Sequence, residues 1–239
     1  MDPVAIKRPV QLLVEGKDPL NFFGALTGHL GLAGIQVQNY GGINELGGFL
    51  KAFVRAPGFA SVTDLGVVRD AEGPAGAVEG APPGEAEVAA LRPGMERHAD
   101  RAFQSLCTAL RNAGLPVPAR PVERSESSPS VSVLILPGDG DDGMLETLLC
   151  RTFADSPVDA CIKDFFKCVE RSEIPIRRPD KSRARAFLAT TPDPQLSVGV
   201  AAQRGHWDFD HDAFRGVRRF LRNLVGDTPA SKRPVSAEL

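Results

Sequence analysis

Val10-Gln11-Leu12-Leu13-Val14 is a short apolar run closed by Glu15 and Gly16, and the strand–turn–helix unit it opens recurs down the chain. An apolar run of this length bounded by turn residues suits a parallel strand buried on both faces. Asp18-Pro19 then supplies a helix start, an N-cap acid with proline at the first helical position. The predicted helix carries Leu20, Phe23, Leu26 and Leu30 at helical spacing and stops near Gly31 and Gly34. Ile35 to Tyr40 reads as a second strand with Gly41-Gly42 as its turn. A helix bearing Leu46, Phe49, Leu50, Phe53 and Val54 follows, closed by Pro57-Gly58. Thr63 to Asp70 reads as a third strand that again ends in an acid. Strands alternating with helices predict βαβ units, and right-handed crossovers place helices on both faces of the sheet.

Beyond Asp70 the pattern is interrupted. Residues 73–94 are rich in Gly, Ala, Pro and Glu without an apolar period, and read as a flexible insertion. A helix is expected over 95–113, a Pro- and Ser-rich connection over 115–129, and a fourth strand over 130–136. Helices are expected at 144–153 and 159–173, a basic and partly irregular stretch at 174–186, and a last helix at 211–224. The predicted fold class is α/β, a mainly parallel sheet of about four strands flanked by helices with a C-terminal helical extension. A single domain over 1–226 and a disordered tail over 227–239 complete the expected organisation.

Composition narrows the function classes. Of 239 residues 42% are hydrophobic and 24% charged, so the chain can build an ordinary core without a disulfide or metal staple. The formal net charge of −2 excludes a uniformly basic nucleic-acid coat but leaves room for a local basic patch. The first nine residues lack the apolar region of a secretory signal, and no apolar run approaches the roughly 18 residues that span a bilayer. A cytoplasmic protein without membrane association is expected. Cys107, Cys150, Cys161 and Cys168 form no C-x-x-C pair and read as free thiols in helices. His29, His98, His206 and His211 are scattered without zinc spacing, and Tyr40 and Trp207 read as packing anchors. Phosphate-loop, dinucleotide and serine-nucleophile motifs are absent.

The acids are more informative. Ligands of an open parallel sheet bind beyond the C-terminal ends of its strands. Glu15 falls there after the first strand, Asp70 and Glu72 after the third, and Asp139, Asp141 and Asp142 after the fourth, with Glu146 on the next helix. Crowded carboxylates repel one another unless a cation neutralises them. Oxygen ligands without His or Cys favour a hard cation, Mg²⁺ or Mn²⁺.

Val14-Glu15-Gly16-Lys17-Asp18 resembles the first motif of Toprim (topoisomerase–primase) domains, a strand ending in Glu-Gly. Val67-Val68-Arg69-Asp70-Ala71-Glu72 is similar to their second motif, an Asp-x-Asp pair after the third strand. Gly143-Met144-Leu145-Glu146, and Trp207-Asp208-Phe209-Asp210 before an amphipathic helix, resemble a group of small Toprim-like bacterial proteins of unassigned function. Ribosomal-RNA maturases and overcoming-lysogenization-defect nucleases are more distant relatives of that group. The resemblance covers roughly residues 9–225. It implies Mg²⁺-dependent phosphodiester chemistry on nucleic acid, with Glu15 as catalytic acid or base and Asp70, Glu72 and Glu146 as metal ligands. Two positions depart from the motifs. Pro19 stands where the maturase and nuclease branches carry an acid, and Glu72 where Asp is usual.

A nucleic-acid track would come from Lys17 beside the first motif, from Arg177 and Arg178 in a basic cluster with Lys181, Arg183 and Arg185, and from the last helix. There Arg215, Arg218, Arg219 and Arg222 recur at i, i+3, i+4 and i+7 on one face. Little aromatic interleaving accompanies these cations, which argues against base stacking on single strands. Two functions remain open at this point. One is a metal-dependent nuclease or phosphodiesterase acting on RNA or DNA. The other is a catalytically degenerate module that binds nucleic acid or protein, working as a homodimer or with a partner chain.

Overall fold

The computed structural model describes residues 5–72 and 97–226. The predicted insertion at 73–94, the first residues of the helix expected from 95, and the predicted tail at 227–239 lie outside the described residues.

Four strands form one all-parallel sheet in the order β2-β1-β3-β4, with β1 Val10–Val14, β2 Ile35–Asn39, β3 Asp64–Asp70 and β4 Ser130–Leu136. Val10 stands opposite Ile35 on one side and Asp64 on the other, and Asp64 stands opposite Ser130. The α/β class and parallel sheet read from the sequence are therefore the observed ones. Every residue of β1 is buried, as an apolar run covered on both faces requires.

The connections decide where a ligand can sit. From β1 the chain passes through α1 (Lys17–His29) to β2, and from β2 it returns through α2 (Ile43–Phe53) over β1 to β3. Helix α3 (His98–Asn112) then packs beside α2 on its way to β4. The strand order thus reverses between β1 and β3, and the crevice beyond their C-terminal ends is the topological switch point.

Each face has its own core. Leu13, Val67, Val133 and Ile135 meet Tyr40, Phe49, Phe53, Leu106 and Leu110 on the α2–α3 side. Leu12, Val14, Val68 and Leu134 meet Phe22, Phe23 and Leu26 of α1 on the other side, with the helices that follow β4. These are α4 (Leu145–Cys150), α5 (Pro157–Glu170), α6 (Pro179–Leu188), α7 (Val198–Gln203) and α8 (Arg215–Leu224). Helix α7 packs closely on α1, since a Cβ on Gly199 would lie 2.3 Å from the Asp18 carbonyl oxygen. Helix α8 buries Val217, Phe220, Leu221 and Leu224, and Phe220 and Leu224 lie over Gly66 of β3. Phe153, Phe187 and Trp207 stack in series, and the Trp207 indole N–H donates to the Val198 carbonyl (3.0 Å). Trp207 and Tyr40 are the packing anchors expected of them, both buried.

Local expectations are corrected at three places. The N-cap of α1 is Gly16, at φ 88°, and not Asp18. Asp18 already lies in the first turn, and its carboxylate accepts from the Ser197 hydroxyl and the Gly199 N–H, tying α1 to α7. Part of the stretch read as irregular is α6, opened by Pro179 at its first position. The short helix α7, capped by the Ser197 hydroxyl on the Val200 N–H (3.4 Å), has too few apolar positions to show a period. Among the described residues no helix is long and apolar enough to cross a membrane.

Candidate functional site

The switch-point crevice is walled by side chains that leave the ends of β1, β2 and β3. Asn39 closes β2 and braces the neighbouring turn, its Oδ1 accepting from the N–H groups of Gly16 and Gly41, both 2.8 Å. Tyr40 then turns inward. Its hydroxyl donates to the Val68 carbonyl at 3.1 Å and lies 3.4 Å from Glu15 Oε2. Glu15 is thereby fixed over the gap between β1 and β3.

Asp70 is the last residue of β3, and its Oδ1 accepts from the Leu145 N–H (3.0 Å) at the start of α4. That bond sets Glu146 in the first turn of α4, where its side chain is largely buried. Glu72 follows at φ 65°, and its carbonyl accepts from the Gly143 N–H (3.0 Å). Position 143 needs glycine twice over. Its φ is 139°, and a Cβ there would lie 2.5 Å from Thr147 Oγ1. Thr147 also donates to Asp180 Oδ2 (2.6 Å), pinning the first turn of α6 onto α4, and the adjacent Lys181 Nζ lies 3.3 Å from Glu146 Oε1.

Charge in the crevice is unbalanced. Burial pushes the Asp70 carboxyl up to about 7, and repulsion from Glu146 and then Glu15 adds to it. The Leu145 N–H and Lys181 oppose the rise only in part. Burial also raises Glu15, against the pull of Arg69 and with further repulsion from Glu72, while bonds from Tyr40 and the Ile43 N–H hold it back. Glu15, Asp70, Glu72 and Glu146 therefore feel one another across the crevice, as neighbours in the pairs Glu15–Glu72, Glu15–Asp70 and Asp70–Glu146.

The other acids expected at this edge are used elsewhere. Asp142 accepts from the Ala99 N–H (2.9 Å) and caps α3, and Asp141 pairs with Arg151 at 2.7 Å. Asp139 is exposed at φ 58°. Two of the histidines are paired with carboxylates outside the crevice set, His29 with Asp210 and His206 with Asp193, both at 3.1 Å.

The basic residues divide. Lys17 is exposed at the start of α1, next to the carboxylate edge. Arg178 is the N-cap residue of α6, and Arg177 precedes it, so both neighbour the Lys181–Glu146 pair in sequence. The arginines of α8 are not brought to the acids. Arg218 is committed to the carbonyls of Phe209 (2.6 Å) and His211 (2.8 Å), and Arg215 lies 3.6 Å from Asp212. Arg219 lines a cavity with Arg124 and Asn223. Arg124 bonds to Asp64, the first residue of β3, so this end of α8 sits at the N-terminal edge of the sheet. Arg222, one turn on from Arg218, is exposed toward the C-terminal end of the helix. A surface helix with arginines on its outer face satisfies the same periodicity whichever sheet edge it lies over, and the sequence carries no signal for the edge.

Three contributors escaped the sequence reading. Tyr40 reads as an anchor, yet it also holds Glu15. Arg69 sits inside the second motif but carries the cation nearest in effect to Glu15. Lys181 belongs to a basic cluster by sequence, yet its ammonium is the counter-charge of Glu146. Strand alternation places Arg69 opposite in facing to Asp70, and that was the one signal available for it.

A family model described as "Protein of unknown function (DUF3226)" matches residues 9–226, from the edge of β1 to just past α8. The chain belongs to this DUF3226 family. No curated protein and no solved structure matches it. The matched range of the DUF3226 chain contains all four crevice carboxylates together with Tyr40, Arg69 and Lys181.

The crevice can be tested against the hard cation its oxygens suggest. Among the described residues no group of three or more His, Cys, Asp or Glu side chains is arranged to hold a metal ion. A closed protein cage is thus not what these residues form. Mg²⁺, however, is commonly held by one or two carboxylates and completes its shell with waters and phosphate oxygens. Asp70 and Glu146 are such a pair, and their mutual repulsion is what a cation would relieve. In that limited sense the donor set fits.

Proposed function

We propose that this DUF3226 protein is a Toprim-like domain that performs Mg²⁺- or Mn²⁺-dependent phosphodiester chemistry on nucleic acid at the β1–β3 crevice. The observation that carries the reading is the convergence of four carboxylates from three separate segments on the switch point, with Asp70 held at about 7. Burial and the facing carboxylates together raise Asp70, and a bound cation would relieve both.

Asp70 and Glu146 would hold the cation, with Glu72 across the crevice beside Glu15. A bound Mg²⁺ supplies charge stabilisation at phosphoryl oxygens. Glu15 is the group that moves a proton. Burial raises its carboxyl, and Tyr40 and the Ile43 N–H hold it in one orientation. Arg69 limits that rise and keeps Glu15 able to ionise.

Calorimetric titration of wild type and Asp70→Asn with Mn²⁺ and Mg²⁺ tests the reading. Binding near millimolar or tighter in wild type, lost in Asp70→Asn, is the expected result. Cleavage of unstructured RNA or DNA in Mn²⁺ should then be abolished by Glu15→Gln. Absence of metal binding in wild type would contradict the proposal.

One observation favours a second reading. Lys181 lies 3.3 Å from Glu146 and already supplies a cation to the crevice. A degenerate module that binds nucleic acid or a partner protein without turnover would keep Lys181 there. It would tolerate Asp70→Asn without loss of binding.

A further inference from the structure

We infer that the groove between α5 and α6 is the track that carries single-stranded nucleic acid to the carboxylate crevice. The inference rests on the proposed function for its end point. The groove itself is visible in the packing.

Helix α5 is thinly seated: only Asp159 and Ile162 of its 14 residues are buried. Phe165 is 58% exposed, as is Ile174 just beyond the helix, and these are the exposed large hydrophobics among the described residues. Phe165 and Phe166, with ring centroids 5.6 Å apart, form one wall of a cavity of about 600 Å³. The other wall carries Arg177, Lys181 and Arg185, and no carboxylate lines the groove.

An apolar ring facing a row of cations is the combination that single strands use. Every base has a π-face that can stack on a phenyl ring, so the contact tolerates sequence, while cations follow the phosphates. Guanidinium groups suit phosphate because their forked donors match its oxygens. Lys181 then joins groove to site. It lines the groove, and its ammonium lies 3.3 Å from Glu146 in the crevice. A strand lying along Arg177 and Arg185 reaches the carboxylates by passing Lys181. In a duplex both faces of each internal base are already stacked, so Phe165 has nothing to engage. A partner helix could cover the same apolar wall, but it would also strip water from three cations, a cost that acids on the partner would have to offset. The arginines of α8 do not offer this path, because the helix ends at the opposite sheet edge.

Fluorescence anisotropy tests the track with a labelled, unstructured 12-nucleotide DNA or RNA strand and a duplex of equal length, in EDTA. The strand should bind more tightly than the duplex. Phe165→Ala, which removes an exposed ring and leaves the core intact, should weaken strand binding roughly 5- to 100-fold. Arg177→Gln should lower the slope of log affinity against log salt by about 0.7. Arg215→Gln with Arg222→Gln should change neither. Equal duplex affinity, no strand binding, or an unchanged Phe165→Ala would overturn the track. So would a wild-type dimer, seen by light scattering, that dissociates in Phe165→Ala, because a second copy would then occupy the groove. EDTA separates this outcome from the fate of the metal reading. Strand binding without metal uptake in calorimetry would keep the track and remove the metal-dependent chemistry. Metal uptake without strand binding would do the reverse.

Discussion

Asp70 and Asp159 both lie among packed side chains, yet they sit at opposite ends of the carboxyl range. The Asp159 side chain has no solvent-exposed surface, and its carboxyl is held down to about 2. Burial alone would raise it. Hydrogen bonds from Lys163 and Arg183, both 2.7 Å, and from the Asp155 N–H outweigh that effect. Asp70 is pushed up to about 7, first by burial and then by repulsion from Glu146 and Glu15. Burial raises both carboxyls; at Asp159 hydrogen-bonded cations outweigh it, whereas at Asp70 the neighbouring carboxylates add to it. Asp159 ties α5 to α6 and is complete as it stands. Asp70 is held in an arrangement that a proton or a cation would relieve.

The largest effect expected from this contrast is at Asp70. Its folded carboxyl titrates near 7 and the unfolded one near its ordinary 3.8, so the folded state retains a proton that the unfolded state has lost. Stability from this group is present below about pH 4 and is lost as pH rises to about 7, and the raised Glu15 works in the same direction. Asp70→Asn keeps the acceptor for the Leu145 N–H and removes the charge. It should match wild type near pH 4 and exceed it by about 2–4 kcal/mol at pH 8, measured by denaturant unfolding. A gain that does not grow with pH would break the contrast.

Asp159→Asn should act in the opposite direction. It leaves Arg183 and Lys163 without their shared carboxylate and is expected to cost about 2–3 kcal/mol near neutrality, less than a fully buried pair because both cations reach solvent. The depressed carboxyl gives stability that is present above about pH 4 and lost as pH falls toward 2, so the cost should shrink in acid. Urea unfolding at pH 7 and pH 3 checks this sign. Tyr40→Phe is the smallest of the three. Removing a buried hydroxyl bonded to the Val68 carbonyl should cost about 1 kcal/mol. Glu15 should titrate higher without its Tyr40 bond, which a carboxyl-resolved NMR titration would show.

The half of this contrast that was legible in the sequence is the half that strands dictate. Val10–Val14 and Asp64–Asp70 announce themselves by apolar runs, and their acids fall at the strand ends wherever such a sheet forms. Parallel topology then gathers Glu15, Asp70 and Glu72 at one edge. What composition and period could not reveal depends on side chains meeting over long separations. Asp18 looks like a helix cap and is instead bound by Ser197 and Gly199, nearly the whole chain away. Asp141 and Asp142 look like Glu146's companions and are taken by Arg151 and the Ala99 N–H. The basic stretch before Ala184 hides α6, whose Pro179 start was readable but whose apolar face is short. Without α6 there is no means of placing Lys181 against Glu146, or of seeing that Phe165 faces a row of cations. The arginine periodicity of α8 was correct as a helix face, and only the packing of Phe220 and Leu224 over Gly66 sends it to the far edge.

The central claim is that Asp70 belongs to a crevice short of positive charge that takes up a divalent cation. The most direct test is a ¹³C-carboxyl NMR titration of Asp70 with and without Mg²⁺. The account expects a midpoint near 7 in the metal-free protein, falling well toward the ordinary carboxylate range in millimolar Mg²⁺, while Asp159 stays near 2 in both. A midpoint near 4 that ignores Mg²⁺ would contradict it.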